Sequence, residues 1–173
     1  MKSVIMMSLL ALIFADTAHA HSRLKASEMI KIRGNDPGIK IGPCGGLARV
    51  TPAVINPGST ITVYWEETIY HPGRFEFYFS EAGDQNFVLL KTIQNNSQGT
   101  PLPHQFNTTL TLPTKTCDNC TLQMIQVMTE NPNNPTNYYS CADMQLKSAT
   151  NNPDPTPTPT DPTTPTPADP DCH

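Results

Sequence analysis

The feature that most limits the fold is how short the apolar stretches are. Clusters at Asn56-Pro57-Gly58, His71-Pro72-Gly73 and 131–136 cut the middle of the chain into pieces shorter than ordinary helices. Within the pieces, hydrophobicity alternates with period two. At 60–65, Ile61, Val63 and Trp65 share one face, and at 74–79 Phe75, Phe77 and Phe79 point inward while Arg74, Glu76 and Tyr78 point outward. Further β-rich stretches fall at 87–93, 106–112, 120–128 and 141–146, and no stretch carries an amphipathic helix of ten or more residues. Seven or so short strands predict an all-β, immunoglobulin-like antiparallel sandwich. The segment 21–41, with Gly34, Pro37, Gly38 and scattered charges, is expected to lie irregularly on the surface. In Gly42-Pro43-Cys44-Gly45-Gly46 the glycines permit a tight turn with positive φ.

Both ends differ from this middle. Met1-Lys2, an uncharged apolar run from Val4 to Phe14, and Ala18 and Ala20 before His21 have the form of a cleavable signal peptide. The run is too short to span a hydrocarbon core of about 30 Å. Residues 1–20 are therefore expected to be removed and the protein to be secreted, periplasmic or on the cell surface, with no membrane span. Residues 21–149 form the expected domain. From 150 to 173 the chain is a Pro/Thr-rich tail with almost nothing to bury, expected to be disordered and polyproline-like.

The net charge of −4 offers no electrostatic attraction to nucleic acid or an anionic membrane. All five cysteines, Cys44, Cys117, Cys120, Cys141 and Cys172, follow the predicted signal peptide, so disulfides are expected in an oxidising compartment. Cys117-Asp118-Asn119-Cys120 has CxxC spacing, but no second CxxC or histidine pair completes a zinc site. It reads as a short structural bridge or as two cysteines bridged elsewhere.

Cleavage after Ala20 would give His21 a free amine beside its imidazole, two nitrogens placed to chelate one metal. Of the other histidines, His173 ends the tail and His104 lies in a Pro-flanked stretch, so both are expected to be solvated. His71 occupies a turn between two predicted core strands. There it either meets the N-terminus as a second ligand or packs beside Tyr70 and Pro72.

His21, Gly42-Pro43-Cys44-Gly45-Gly46, Tyr70-His71-Pro72-Gly73, 120–128 and Tyr138-Tyr139-Ser140-Cys141-Ala142-Asp143-Met144 together resemble the lytic polysaccharide monooxygenases, and more closely the bacterial proteins similar to them. The resemblance runs from His21 to about Leu146. It implies an immunoglobulin-like sandwich holding one copper in a histidine brace, formed by the amine and imidazole of His21 and the imidazole of His71. It also implies an axial aromatic at Tyr138, or at Tyr139 if the register slips by one, and a Cys44–Cys141 bridge that leaves Cys117 to pair with Cys120. Three neutral nitrogens favour copper among divalent first-row metals. Glu67 or Gln126 is the polar residue expected to orient an oxygen species, and Tyr70 is the candidate for substrate contact.

The sequence also departs from the pattern. Thr136 stands where the fungal enzymes often carry a glutamine, and aromatics for a flat polysaccharide-binding face are few. Asp143 is a further candidate third ligand, as in brace proteins that traffic copper, although strand alternation sets it opposite Tyr138. The leading expectation is a monomeric copper-dependent enzyme that uses an external electron donor to oxidise cellulose or chitin. A non-catalytic copper-binding or copper-delivery protein is the alternative, and an adhesive or carbohydrate-binding sandwich with an incidental His21 is a third.

Overall fold

The computed structural model describes residues 21–148. The predicted signal peptide and the whole of the predicted tail lie outside the described residues. Nine strands follow in order: β1 (Ser22–Leu24), β2 (Lys31–Ile32), β3 (Ala53–Ile55), β4 (Thr60–Glu67), β5 (Gly73–Ser80), β6 (Val88–Gln94), β7 (His104–Thr111), β8 (Cys117–Met128) and β9 (Thr136–Leu146). No helix is present among the described residues, and so none that could cross a membrane. The fold is the expected disulfide-bonded β-sandwich. A three-stranded sheet, β1-β4-β7, faces a larger one ordered β2-β9-β8-β5-β6. The pairings are antiparallel except that β3 runs parallel to β9.

The period-two pattern produces this arrangement directly. Ile61, Val63 and Trp65 of β4 and Phe75, Phe77 and Phe79 of β5 are all buried, and their faces meet. Trp65 sits edge-on to Phe75 and Phe77, at 5.4 and 5.0 Å between centroids, and stacks on Phe106 at 5.2 Å. Offset and edge-on rings of this kind add to the free energy of burial itself.

The N-terminal segment departs from expectation. Residues 22–24 pair with the end of β4, Ser22 opposite Glu67 and Leu24 opposite Trp65. Leu24 and Ile30 are fully buried, and burying such side chains is worth about 2 kcal/mol each. Arg33 is buried too. Its guanidinium meets both oxygens of Asp143 and both of Asp84, and its amide donates to the Cys141 carbonyl at 2.9 Å. The segment is thus a structural part of the sandwich, held by two apolar anchors and one ion cluster.

The glycine-rich loop behaves as expected, with Gly45 at φ 69° and Gly46 at φ 66°. Cys44 bridges Cys141 on β9, and Cys117 bridges Cys120 near the start of β8, the two pairings that the resemblance implied.

Candidate metal centre

Strand register gathers one end of the sandwich. Ser22, after His21, lies opposite Glu67 at the end of β4, and Glu67 lies opposite His104 at the start of β7. Gly73, just after His71, lies opposite Met128, and Gln126 lies opposite Tyr138. His21 is tied in by its carbonyl, which accepts from the Thr68 amide at 2.9 Å. Strands distant in sequence therefore bring His21, His71 and Tyr138 together.

The rings of His21 and His71 are nearly parallel, 3° apart, with centroids separated by 5.1 Å. Tyr138 stacks on the His21 ring at 3.3 Å. Nδ1 of His21 is buried and has no hydrogen-bond partner. A buried orphan nitrogen is costly unless something else occupies it. In a histidine with a free α-amine, Nδ1 is also the ring nitrogen near enough to close a chelate with that amine. His71 complements it, because its Nδ1 meets the Glu130 carboxylate and leaves Nε2 as its available donor. A carboxylate on the far nitrogen is a common way to fix a ligating imidazole.

Burial, followed by nearby His71 and Lys40, lowers the His21 imidazole from the usual 6.5 to about 4. It is therefore neutral near pH 7, the form a metal binds. The Lys40 ammonium lies 5.2 Å from the centroid of Tyr138. Among the described residues no three His, Cys, Asp or Glu side chains group to hold a metal, so the two imidazoles would need a further donor of another kind. The α-amine that would be freed at His21 is such a donor, and with two imidazoles it makes an all-nitrogen set suited to copper.

Beneath the His71 turn lies Glu67, fully buried. Its Oε1 accepts from Asn95 Nδ2 and Gln126 Nε2, each at 2.8 Å, and from the His71 amide at 3.3 Å. Its Oε2 meets His104 Nδ1 at 2.8 Å and Ser97 Oγ at 3.1 Å. Gln126 keeps a buried Oε1 without a partner.

Three sequence expectations change. Tyr139 turns away from His21, its ring so close to Gly42 that a Cβ there would sit 3.0 Å from it. Asp143 lies five residues along β9 from Tyr138, roughly 17 Å at strand rise. Both of its oxygens are held by Arg33, with Arg49 and the Val50 amide adding contacts at 2.7 Å, so it is no ligand candidate. His104, expected to be solvated, is only 6% exposed and is paired to Glu67. Tyr70 is half-buried, its ring 6.3 Å from that of His104.

Lys40, Asn95, Ser97 and Glu130 did not stand out in the sequence. They are single polar residues in loops or near strand ends. Asn95 follows β6 and Glu130 follows β8, both strands paired with β5. The Ile39 carbonyl, accepting from the Tyr139 amide, holds Lys40 beside β9.

The sequence pattern of the family described as lytic polysaccharide mono-oxygenase, cellulose-degrading, matches residues 45–144. The chain belongs to this family. His71 and Tyr138 lie inside the matched stretch of this mono-oxygenase family member, and His21 precedes it. Among solved structures, an AA10 lytic polysaccharide monooxygenase from Streptomyces lividans superposes with a TM-score of 0.50 at 16% identity, covering 75% of this chain and 84% of its own. That likeness shows the shared fold. The cellulose-active CelS2, solved with copper, gives 0.43 at 22% identity over 58% of this chain. The chain spans only 54% of the CelS2 structure. An AA15 enzyme from Thermobia domestica in the Cu(I) state gives 0.44 at 22% identity, covering 64% of this chain and 78% of its own. No curated protein matches the sequence.

Proposed function

We propose that this family member is exported, is cut after Ala20, and binds one copper ion through the His21 amine, His21 Nδ1 and His71 Nε2 to oxidise a polysaccharide such as cellulose or chitin. The observation that carries the reading is the pair of available ring nitrogens. His21 Nδ1 is buried without a partner, and beside it stands a His71 whose other nitrogen is already engaged. Membership of the mono-oxygenase family supports the same reading.

Copper, when bound there with an external electron donor, supplies one-electron chemistry toward dioxygen or peroxide. The chain's own residues prepare the place. Tyr138 fixes the plane of the His21 ring by stacking on it, and excludes water from that face. Glu130 orients His71, and Glu67 with Asn95 holds the main chain of the His71 turn. Gln126, with one free buried oxygen, is the polar side chain we assign to orienting a small ligand at the site. Tyr70 is assigned to contact with substrate.

A non-catalytic copper-binding or copper-delivery role is the second reading, and one observation favours it. Among the described residues the exposed aromatic is Tyr64, on β4 three residues before Glu67, while Tyr70 is half-buried. A broad aromatic platform for a sugar lattice is therefore missing beside the proposed copper.

Product analysis separates the two readings. Copper-loaded protein beginning at His21 is incubated with cellulose and with chitin, a reductant and peroxide, and soluble products are read by mass spectrometry. Oxidised oligosaccharides that disappear with His71→Ala establish catalysis. Tight copper binding without such products on either polymer establishes the second reading.

A further inference from the structure

His104 is a buried titratable group that the proposed copper chemistry leaves without a role. Its Nε2 lies 2.9 Å from the Thr100 carbonyl, and its Nδ1 lies 2.8 Å from Glu67 Oε2. A carbonyl only accepts, so Nε2 carries a hydrogen. The proton between Nδ1 and Oε2 then belongs either to His104 or to Glu67. Donor accounting decides. Oε1 of Glu67 already receives the Asn95 and Gln126 amides and the His71 N–H, and Ser97 Oγ lies within reach of Oε2. With both carboxyl oxygens already meeting donors, the shared hydrogen is assigned to Nδ1, which makes each of these contacts a donor facing an acceptor. A buried carboxylate needs a compensating charge, and no lysine or arginine contacts Glu67 among the described residues.

We infer that His104 is a positioning residue that donates from both ring nitrogens and, through its contact with Glu67, sets the His71 turn before any metal arrives. The connection can be followed atom by atom. Glu67 Oε1 accepts the His71 N–H, and Asn95 Nδ2 donates both to Glu67 Oε1 at 2.8 Å and to the His71 carbonyl at 2.9 Å. The main chain of His71 is clamped on both sides of its Cα, and the clamp is anchored on the Glu67 carboxyl, which His104 holds from the other side. Burial opposes charging of His104, but the Glu67 carboxylate and the Thr100 carbonyl outweigh it and raise its pKa above the usual 6.5. The other groups facing its ring are the uncharged rings of Tyr70 and Phe106.

The clamp rests on His71 as a copper ligand only for its effect on metal binding, and it is measurable without copper. In metal-free, full-length, nitrogen-15-labelled protein, the two ring nitrogens of His104 are read by NMR near pH 7, together with hydrogen exchange at the His71 amide. The expected result is two protonated nitrogens. His104→Gln, which keeps a neutral donor toward Glu67, is expected to speed His71 amide exchange about tenfold. Adding Glu67→Gln, which removes the orphaned charge, should recover part of that protection. In the copper-bound form the single variant should lose about tenfold in affinity, the low end for residues that hold a metal ligand in place. A His104 with one ring proton, or unchanged His71 exchange in His104→Gln, overturns the inference. If the variant does not fold, the ring nitrogens of the unaltered protein decide alone. Weakened His71 protection in a protein that never bound copper would support the clamp and refute the brace.

Discussion

Tyr138 lies flat on His21, ring centroids 3.3 Å apart and planes 16° from parallel, although 116 residues separate them in sequence. Of the two adjacent tyrosines, Tyr138 is the one that meets His21. Tyr138 is 3% exposed, so truncating it opens a cavity under His21. Tyr138→Ala is expected to destabilise the protein by about 3 kcal/mol, and Tyr138→Phe by less than about 1.5 kcal/mol, both read by urea unfolding.

Gly73 follows the His71-Pro72 pair at φ 150°, and a Cβ on it would fall 2.0 Å from the Val127 carbonyl oxygen. No side-chain rotation relieves a clash with backbone. Gly73→Ala is therefore expected to cost more than about 2 kcal/mol and to push the His71 turn away from β8. Unfolding measurements check the first effect, and amide shifts at Thr129, whose N–H donates to the Pro72 carbonyl, check the second.

The two disulfides should differ in worth because they close different loops. Cys44–Cys141 spans 97 residues and Cys117–Cys120 spans three. On the chain-entropy account, loss of the first costs about 4–5 kcal/mol and loss of the second about 2 kcal/mol. Paired Cys→Ser variants, compared by thermal unfolding, test that order. The first pair should also release the Gly42 loop from the Tyr139 ring.

Acid should weaken the N-terminal segment first at Asp84. Hydrogen bonds from Arg33 at 2.6 and 2.8 Å hold this carboxyl below its ordinary 3.8, against a weaker opposing effect of burial. A folded pKa below the unfolded one gives stability that is complete above about 3.8 and disappears as pH falls through the depressed value. At neutral pH Asp84→Asn should be less stable than the unaltered protein by about 1 kcal/mol, with the half-buried setting discounted. The gap should close in strong acid. A gap that is constant with pH would contradict this account.

The sandwich was legible because its core strands alternate cleanly. Phe75, Phe77 and Phe79 could bury themselves only on one face of a strand, and they do. Residues 34–41 are irregular and at the surface as expected, but 22–33 were not read as structural because their anchors, Leu24, Ile30 and Arg33, are too widely spaced to show periodicity. Their burial depends on Trp65 and Asp143, which lie far away in sequence. Tyr138 could be chosen over Tyr139 only within a register, and the structure supplies it by setting Tyr138 opposite Gln126. His104 looked solvated beside Pro101 and Pro103, yet it opens a strand whose pairing puts it against Glu67. Linear sequence carries no signal for that contact. Asp143 was set aside by Arg33 and Arg49, two partners that nothing in the spacing suggested.

The brace depends on a free amine at His21, and copper titration of thermal unfolding tests it most directly. Protein beginning at His21 is compared with His71→Ala and with a form carrying one extra residue before His21. Binding to the native state raises stability by RT ln(1 + [L]/Kd), about 2.7 kcal/mol at a free copper concentration 100 times Kd. The account predicts a rise of this size for the His21 form, lost in both controls. An equal rise in the extended form, or none in any form, would contradict it.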